Sequence, residues 1–403
     1  MSMFAPQLPA GPLADLTVVE LGEGTAAAFT AKLLADFGAT AIKVERPSGD
    51  PTRQRGPFPD GKEDPNASGL FAYLNTNKLG VMVDLATNEG RDALAGLLSD
   101  ADIFVTDLAE AELEASGVSA RHLREQYPEL IVAVVSPFGD GGPWSERIGD
   151  ELTAFAASGL AYGTPGIPDA AEHPYDEPPL HPSCFVTETL AGVTAATAVM
   201  VAVRGRSIGS GGCHIDLSEQ AASACIQVRD LMPSAYGNAV YNRLLNPVSI
   251  GRMPNFYLPC KDGYVTVAAP MDIHWTRLVE ALGSPDWAVS EKYATEAARV
   301  ANWEELRGNL SKWTQSLDSE ELFALGERTK MMIFPFYPIS RMADSDQVRS
   351  RESLVETTIG EAPARMAGAP FALSRTPWSL RRPAPRLGEH NSLLADKRTR
   401  VTT

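Results

Sequence analysis

Two glycines stand where a phosphate could be held. Gly22 and Gly24, in GEGT, follow the apolar run LTVVEL (16–21) and precede AAAFTAKLLADFG. A glycine turn between strand and helix lets backbone amides approach a pyrophosphate. Only half of the G-x-G-x-x-G spacing is present, through Gly22, Gly24 and Ala27. Glu45, at the end of the next apolar segment, stands where a dinucleotide's ribose wants an acid. A tight strand-to-helix turn accounts for the same glycines without any ligand.

Carboxylates are the second set of reactive groups. Glu188 opens the small-residue run TETLAGVTAATAVMVAV (187–203). An acid there is favoured by the positive end of a helix, and a carboxylate is also a nucleophile or base. Asp150 and Glu151 lie in a GDE segment. No G-x-x-x-x-G-K-[ST], H-E-x-x-H or G-x-S-x-G occurs, so those phosphate-loop, zincin and hydrolase chemistries lose support. Cys184, Cys213, Cys225 and Cys260 form no C-x-x-C pair, and the histidines have no ligand spacing. No metal is expected.

Alternating elements must position these groups. LTVVEL, ATAIKVE (39–45), GVMVDL (80–85), DIFVTDL (102–108) and LIVAVVSPFG (130–139) read as strands. AAAFTAKLLADFG, NEGRDALAGLLSDA (88–101) and SARHLREQYP (119–128) read as the helices between them. Strand–helix alternation predicts an α/β fold with a parallel sheet. Residues 163–183, rich in Pro, Gly and acids, read as a loop. GGCHIDLSEQAASACIQV reads as strand plus helix. Short strands and amphipathic helices (HWTRLVEALG, WEELRGNLSKWTQSL, EELFALGER) suggest a smaller α+β domain. The expected division is a large domain over 1–205, a linker over 206–229, a small domain over 230–340, and a segment over 341–403 that returns to the large domain.

Composition narrows the function. The chain has 403 residues, 44% hydrophobic and 21% charged, enough for a sizeable core without disulfides or metal. The formal net charge is -16, which argues against nucleic acid as a partner. No run of 18 apolar residues and no secretory leader are read, so no membrane partner is expected. Unpaired cysteines fit a cytoplasmic location.

At KVERPSGDPTRQRGPF (43–58) the chain resembles the family III CoA-transferases, with the related 2-methylacyl-CoA racemases. The likeness continues through LNTNKLGVMVDLATNEGRDAL (74–94), PFGDGGPW (137–144), AGVTAATA (191–198), GSGGCHIDLSEQAA (209–222), KDGYVTVAA (261–269) and APRLGEH (384–390). The resemblance implies a Rossmann-like large domain, a smaller domain and an interlocked homodimer. It implies coenzyme A as acyl-CoA substrate, a carboxylic acid acceptor, and a carboxylate that attacks the thioester to give an anhydride. The family's Asp, four residues before the Gly of its AG-x-x-AA helix, is matched by Glu188 before Gly192. CoA contacts implied at matching positions are Thr25, Ala26, Arg46, Lys78, Asp107, Leu108, Ser136 and Phe138. Asp107-Leu108 replaces the family's Asn-Phe, and Ser136 replaces a frequent Lys. Asp150, Gly251 and Arg252 are implied at the substrate. The racemase branch's GHD is GDE here, which leaves Asp150 and Glu188 as an alternative acid/base pair. A non-catalytic CoA-binding subunit of a heteromer is a third reading. Phe256, Tyr257, Met331, Met332, Ile333, Phe334 and Phe336 suit either an apolar acyl group or a core.

Overall fold

The computed structural model describes residues 11–164, 180–237, 255–269 and 271–394. These fall in two units: Met1–Thr164, Pro179–Gly237 and Arg349–Thr403 in the first, Pro165–Pro178 and Asn238–Val348 in the second. Gly251 and Arg252 lie outside the described residues.

The first unit is built on β1 (Thr17–Leu21), β2 (Thr40–Glu45), β3 (Lys78–Met82), β4 (Ile103–Thr106), β5 (Ile131–Ser136) and β6 (His214–Ser218). Their order is β3-β2-β1-β4-β5-β6, and every neighbouring pair is parallel. Parallel strands need crossovers. Here α1 (Thr25–Asp36), α2 (Gly69–Leu74), α3 (Asn88–Leu98), α4 (Glu110–Ala115), α5 (Ala120–Gln126), α6 (Glu151–Ala157), α7 (Leu160–Gly163) and α8 (Val186–Ser207) lie between strands. After β6 come α9 (Glu219–Cys225) and α10 (Val228–Gly237). The strands read as unbroken apolar runs because helices cover both faces. Val19, Phe104 and Val132 enter one core; Val18, Ile103 and Ile131 enter the other, with Ala27, Ala31 and Leu34 of α1 and Val199 of α8. The stretch 206–229, expected to link two domains, holds the sheet's last strand and α9. α8 is long and apolar enough to cross a membrane by length and composition. It packs on α1, β5, α6 and α9.

The second unit has an antiparallel sheet, β7 (Asn255–Cys260), β8 (Gly263–Ala268) and β9 (Met332–Pro335). One face packs on α11 (Asp272–Ala281), α12 (Glu296–Ala301), α13 (Trp303–Thr314) and α14 (Ser319–Thr329). Leu258, Val265, Val267 and Ile333 join Trp275, Leu278, Leu306, Leu310 and Leu322 in its core. Strand alternation splits the apolar group noted above. Met331 and Ile333 are buried, while Tyr257, Met332, Phe334 and Phe336 are exposed.

The tail returns to the first unit with an unanticipated hairpin, β10 (Leu354–Ile359) and β11 (Ala362–Ala367). It then shields β3, the sheet's edge. His390 N donates to Gly80 O (2.9 Å), and Met82 N to Asn391 Oδ1 (2.8 Å). A Cβ at Gly80 would lie 2.8 Å from Pro385 Cγ, so only glycine admits the tail this closely.

Fully buried charges tie β1, β2 and β3 together. Lys43 Nζ meets Glu20 Oε1 (2.7 Å) and Asp50 Oδ2 (2.7 Å). Lys78 Nζ meets Glu20 Oε2 at 2.6 Å. Burial alone would raise the Glu20 carboxyl, but Lys43 and Lys78 hold it below its ordinary value. Removing one member of a buried cluster strands its partners. Glu20→Gln is expected to cost about 3–5 kcal/mol, measured as a lower urea midpoint at similar slope.

Candidate active site

Strand order reverses between β1 and β4. In such sheets the crevice opens at the carboxyl ends of the two strands. β1 runs into Gly22–Glu23–Gly24 and α1; β4 runs into Asp107. Asp107 fills the turn. Its Oδ1 accepts from Glu23 N (2.8 Å), and its Oδ2 from Gly24 N (3.0 Å) and Ala27 N (3.2 Å). A Cβ at Gly22 or Gly24 would come within 2.7 or 2.8 Å of that carboxylate. Thus both glycines serve the approach of a carboxylate. Burial pushes Asp107 up to about 6, against the pull of the Glu23 and Ala27 amides and of Lys43. Thr25 N donates to Glu188 Oε2 (3.2 Å).

The dinucleotide reading of this turn fails. Four amides around the turn, those of Glu23, Gly24, Thr25 and Ala27, are spent on Asp107 and Glu188. Glu45 is held by Arg53 through two bonds (2.7 and 2.8 Å) and accepts from Asp50 N, so it is closed to a ribose.

The start of α8 is capped from another helix. Glu151, the first residue of α6, accepts from Thr187 N at Oε1 (3.1 Å) and from Glu188 N at Oε2 (2.9 Å). These are two of the amides a helix leaves unpaired at its start. His181 Nε2 lies 3.2 Å from the same carboxylate. Small residues then let α8 lie close against α1. A Cβ at Gly192 would be 3.0 Å from Ala26 O and 3.1 Å from Phe29 Cβ, and Thr30 Oγ1 donates to Ala26 O and Gly192 O. One turn earlier, this contact brings Glu188 to Thr25. Burial raises the Glu188 carboxyl; Thr25 opposes the shift, Glu151 adds to it, and Arg55 opposes it.

A further carboxyl, unremarked in the sequence, completes the group. Glu219 opens α9 beneath its cap Ser218. It is only 5% exposed, and its Oε2 has no hydrogen-bond partner. Burial, then Glu188, Asp107, Glu151 and Asp150, push it up to about 8. A first-turn acid after Ser is an ordinary helix start, so nothing in the sequence marked it. Glu151 was visible only as a neighbour of Asp150.

The expected contacts separate. Thr25, Asp107 and Glu188 converge. Arg46 is half exposed at the rim and pairs with Glu23. Three others are enclosed instead. Lys78 is fully buried, its ammonium shared among Glu20, Ala28 O and Asn75, which leaves no donor for a phosphate. Leu108 and Ala26 are core side chains. Ser136 Oγ accepts from Gly139 N (2.8 Å) and shapes the turn after β5. Phe138 packs edge-on against Trp144. Asp150 caps α6, accepting from Thr153 N (2.9 Å), and these bonds hold its pKa low. A carboxylate whose pKa is depressed by capping makes a poor base. No metal-binding group of His, Cys, Asp and Glu occurs among the described residues.

Known proteins share this fold. The chain matches the family described as CoA-transferase family III over residues 13–391. It is 30% identical over 398 residues, 96% of each chain, to succinyl-CoA:mesaconate CoA-transferase of Haloarcula marismortui. It is 29% identical to succinate–glutarate CoA-transferase of Agrobacterium fabrum, again over 96% of each. The crystal structure of a CaiB/BaiF family protein from Brucella suis superposes with a TM-score of 0.84 at 25% identity, covering 96% of this chain and 99% of that one. The family match over nearly the whole chain, with relatives named as CoA-transferases, defines a transferase. The chain belongs to CoA-transferase family III, and its reaction moves coenzyme A between an acyl-CoA and a carboxylic acid.

Glu219 makes stability depend on pH. A free glutamate ionises near 4.5 and this one near 8. Between those values the folded chain holds a proton that the unfolded chain has lost. Folding therefore weakens as pH rises through that window and levels off above it. Glu219→Gln removes the effect. The variant is expected to be more stable than the parent at pH 9, on the order of 2–4 kcal/mol, and to lose that advantage near pH 5, in urea melts at both values.

Proposed function

We propose that Glu188 is the nucleophile of the transfer. The observation that carries this is its placement: its carboxylate accepts from Thr25 N at the start of α1, while its own amide is fixed by Glu151. One reactive group is thereby held from two sides, as attack on a carbonyl requires. The Glu188 carboxylate adds to the thioester carbonyl, the CoA thiolate leaves, and a mixed anhydride forms. The thiolate then attacks the Glu188 carbonyl, releasing the donor's acid and leaving a glutamyl-CoA thioester. The acceptor carboxylate attacks that carbonyl, and the returning thiolate takes the new acyl group and frees Glu188. Each hard exchange becomes two easier ones.

Thr25 is the contact proposed at the thioester end, and Arg46 at the adenosine end, where it can exchange Glu23 for an anionic ligand. Asp107, Ser136 and Phe138 act on CoA through the loops they shape. Relatives named for succinyl-CoA, mesaconate and glutarate support short dicarboxylic acids as the substrate class. The protein works as a homodimer of the interlocked kind. Exposed apolar residues along α8, Val193 and Val201, and in α10, Leu231 and Met232, support this, because such a surface needs a cover. Four free cysteines fit a reducing cytoplasm.

Incubation with succinyl-CoA, followed by hydroxylamine or borohydride and mass spectrometry, is expected to label the peptide containing Glu188. Glu188→Gln is expected to lower exchange at least about a thousandfold. Near-parental activity in that variant overturns the assignment. Sedimentation is expected to show a dimer, and Val201→Asp to weaken it.

A further inference from the structure

Two buried polar atoms have no hydrogen-bond partner, Thr25 Oγ1 on α1 and Glu219 Oε2 on α9, and both residues lie near Glu188. Thr25 is already bonded to Glu188 through its amide. Glu219 has no assigned role. It is enclosed more completely than Glu188 itself, and it comes from α9, which carries neither the nucleophile nor its cap. Buried polar atoms are nearly always paired, so an unpaired one in a reactive crevice calls for an explanation.

The charges around Glu219 supply it. α8 brings Glu188, α6 brings Glu151 with Asp150 at its cap, and the turn after β4 brings Asp107. β6 carries His214 and Asp216, of which His214 is engaged with Asp140 and Asp216 accepts from Asp140 N. Among these, the groups acting most strongly on Glu219 are all acidic. A carboxylic acid acceptor is an anion at neutral pH and must enter among them. If Glu188, Glu151, Asp107 and Glu219 were all ionised, the acceptor would meet four like charges in a space shielded from water, where repulsion is strong.

We propose that Glu219 is a positioning residue which remains a neutral acid during turnover and acts through Glu188, keeping the pocket open to an anionic acceptor. This rests on the reading of Glu188 as nucleophile. As a neutral group Glu219 also turns its unpaired oxygen into a donor, complementary to a carboxylate oxygen. The proton stays on Glu219 throughout; no bond is made or broken there.

The pH dependence of acceptor binding tests this, with succinyl-CoA as donor and glutarate as acceptor. Between pH 6.5 and 9 the KM for glutarate is expected to rise at least about tenfold in the parent, the effect of one added charge at this range, with a smaller change in kcat. Glu219→Gln, neutral at every pH, is expected to hold its glutarate KM nearly level over that span. An equal rise in the variant overturns the proposal, and so does a flat KM in the parent. An infrared measurement covers the case of a variant that folds poorly. The parent at pH 7 is expected to show the absorption of a buried protonated carboxyl that disappears near pH 8; its absence at pH 7 overturns the proposal without any assay. Failure of the nucleophile reading looks different: Glu188→Gln then remains active, whatever Glu219 does.

Discussion

The site depends on a cluster of charges that never meets water. Lys43 lies between Glu20 and Asp50 and also donates to Gly22 O. Lys78 takes the second oxygen of Glu20. Three neighbouring strands are thus fixed to one another, and so is the first residue of the turn after β1. That turn sets where α1 begins, and the start of α1 sets where Thr25 N points. Ion pairs of this depth contribute little net stability, because desolvation offsets the attraction. Their effect here is positional: the three charges join the first three strands in the observed register.

Two helices converge on the crevice, and at both N-termini carboxylates take free amides. Asp107 takes three at α1, and Glu151 takes two at α8. Helix N-termini at a switch point commonly serve phosphates. This chain has filled them with its own acids and uses one spare amide to hold the reactive one. The result is a pocket of four carboxyls in a molecule already carrying a net charge of -16. The adjustable quantity in such a pocket is protonation, and burial sets it differently for each member. Burial moves Asp107 to about 6; burial together with the neighbouring carboxylates moves Glu219 to about 8.

Much of the frame was legible. The sheet strands appear as apolar runs because both faces are buried, and the small-residue helix is visible because close packing excludes larger side chains. β3 begins two residues earlier than its apolar run, at Lys78, since a buried lysine does not look like a strand residue. The hairpin β10–β11 was missed because its pattern is half exposed on both strands. Lys78 shows the limit on the site: a lysine's type says nothing about burial, and its ammonium was already committed to Glu20.

The amino-acid sequence by itself determined the α/β alternation, the family resemblance and the carboxylate four residues before Gly192. Those are local properties of type and spacing. Tertiary structure alone decided that Asp107 closes the first turn, that Glu151 caps a helix 36 residues later in the chain, and that Glu219 is buried beside Glu188. The reason is physical. A carboxyl's chemistry depends on its distance to other charges and to water, and the fold sets those distances among residues remote in sequence.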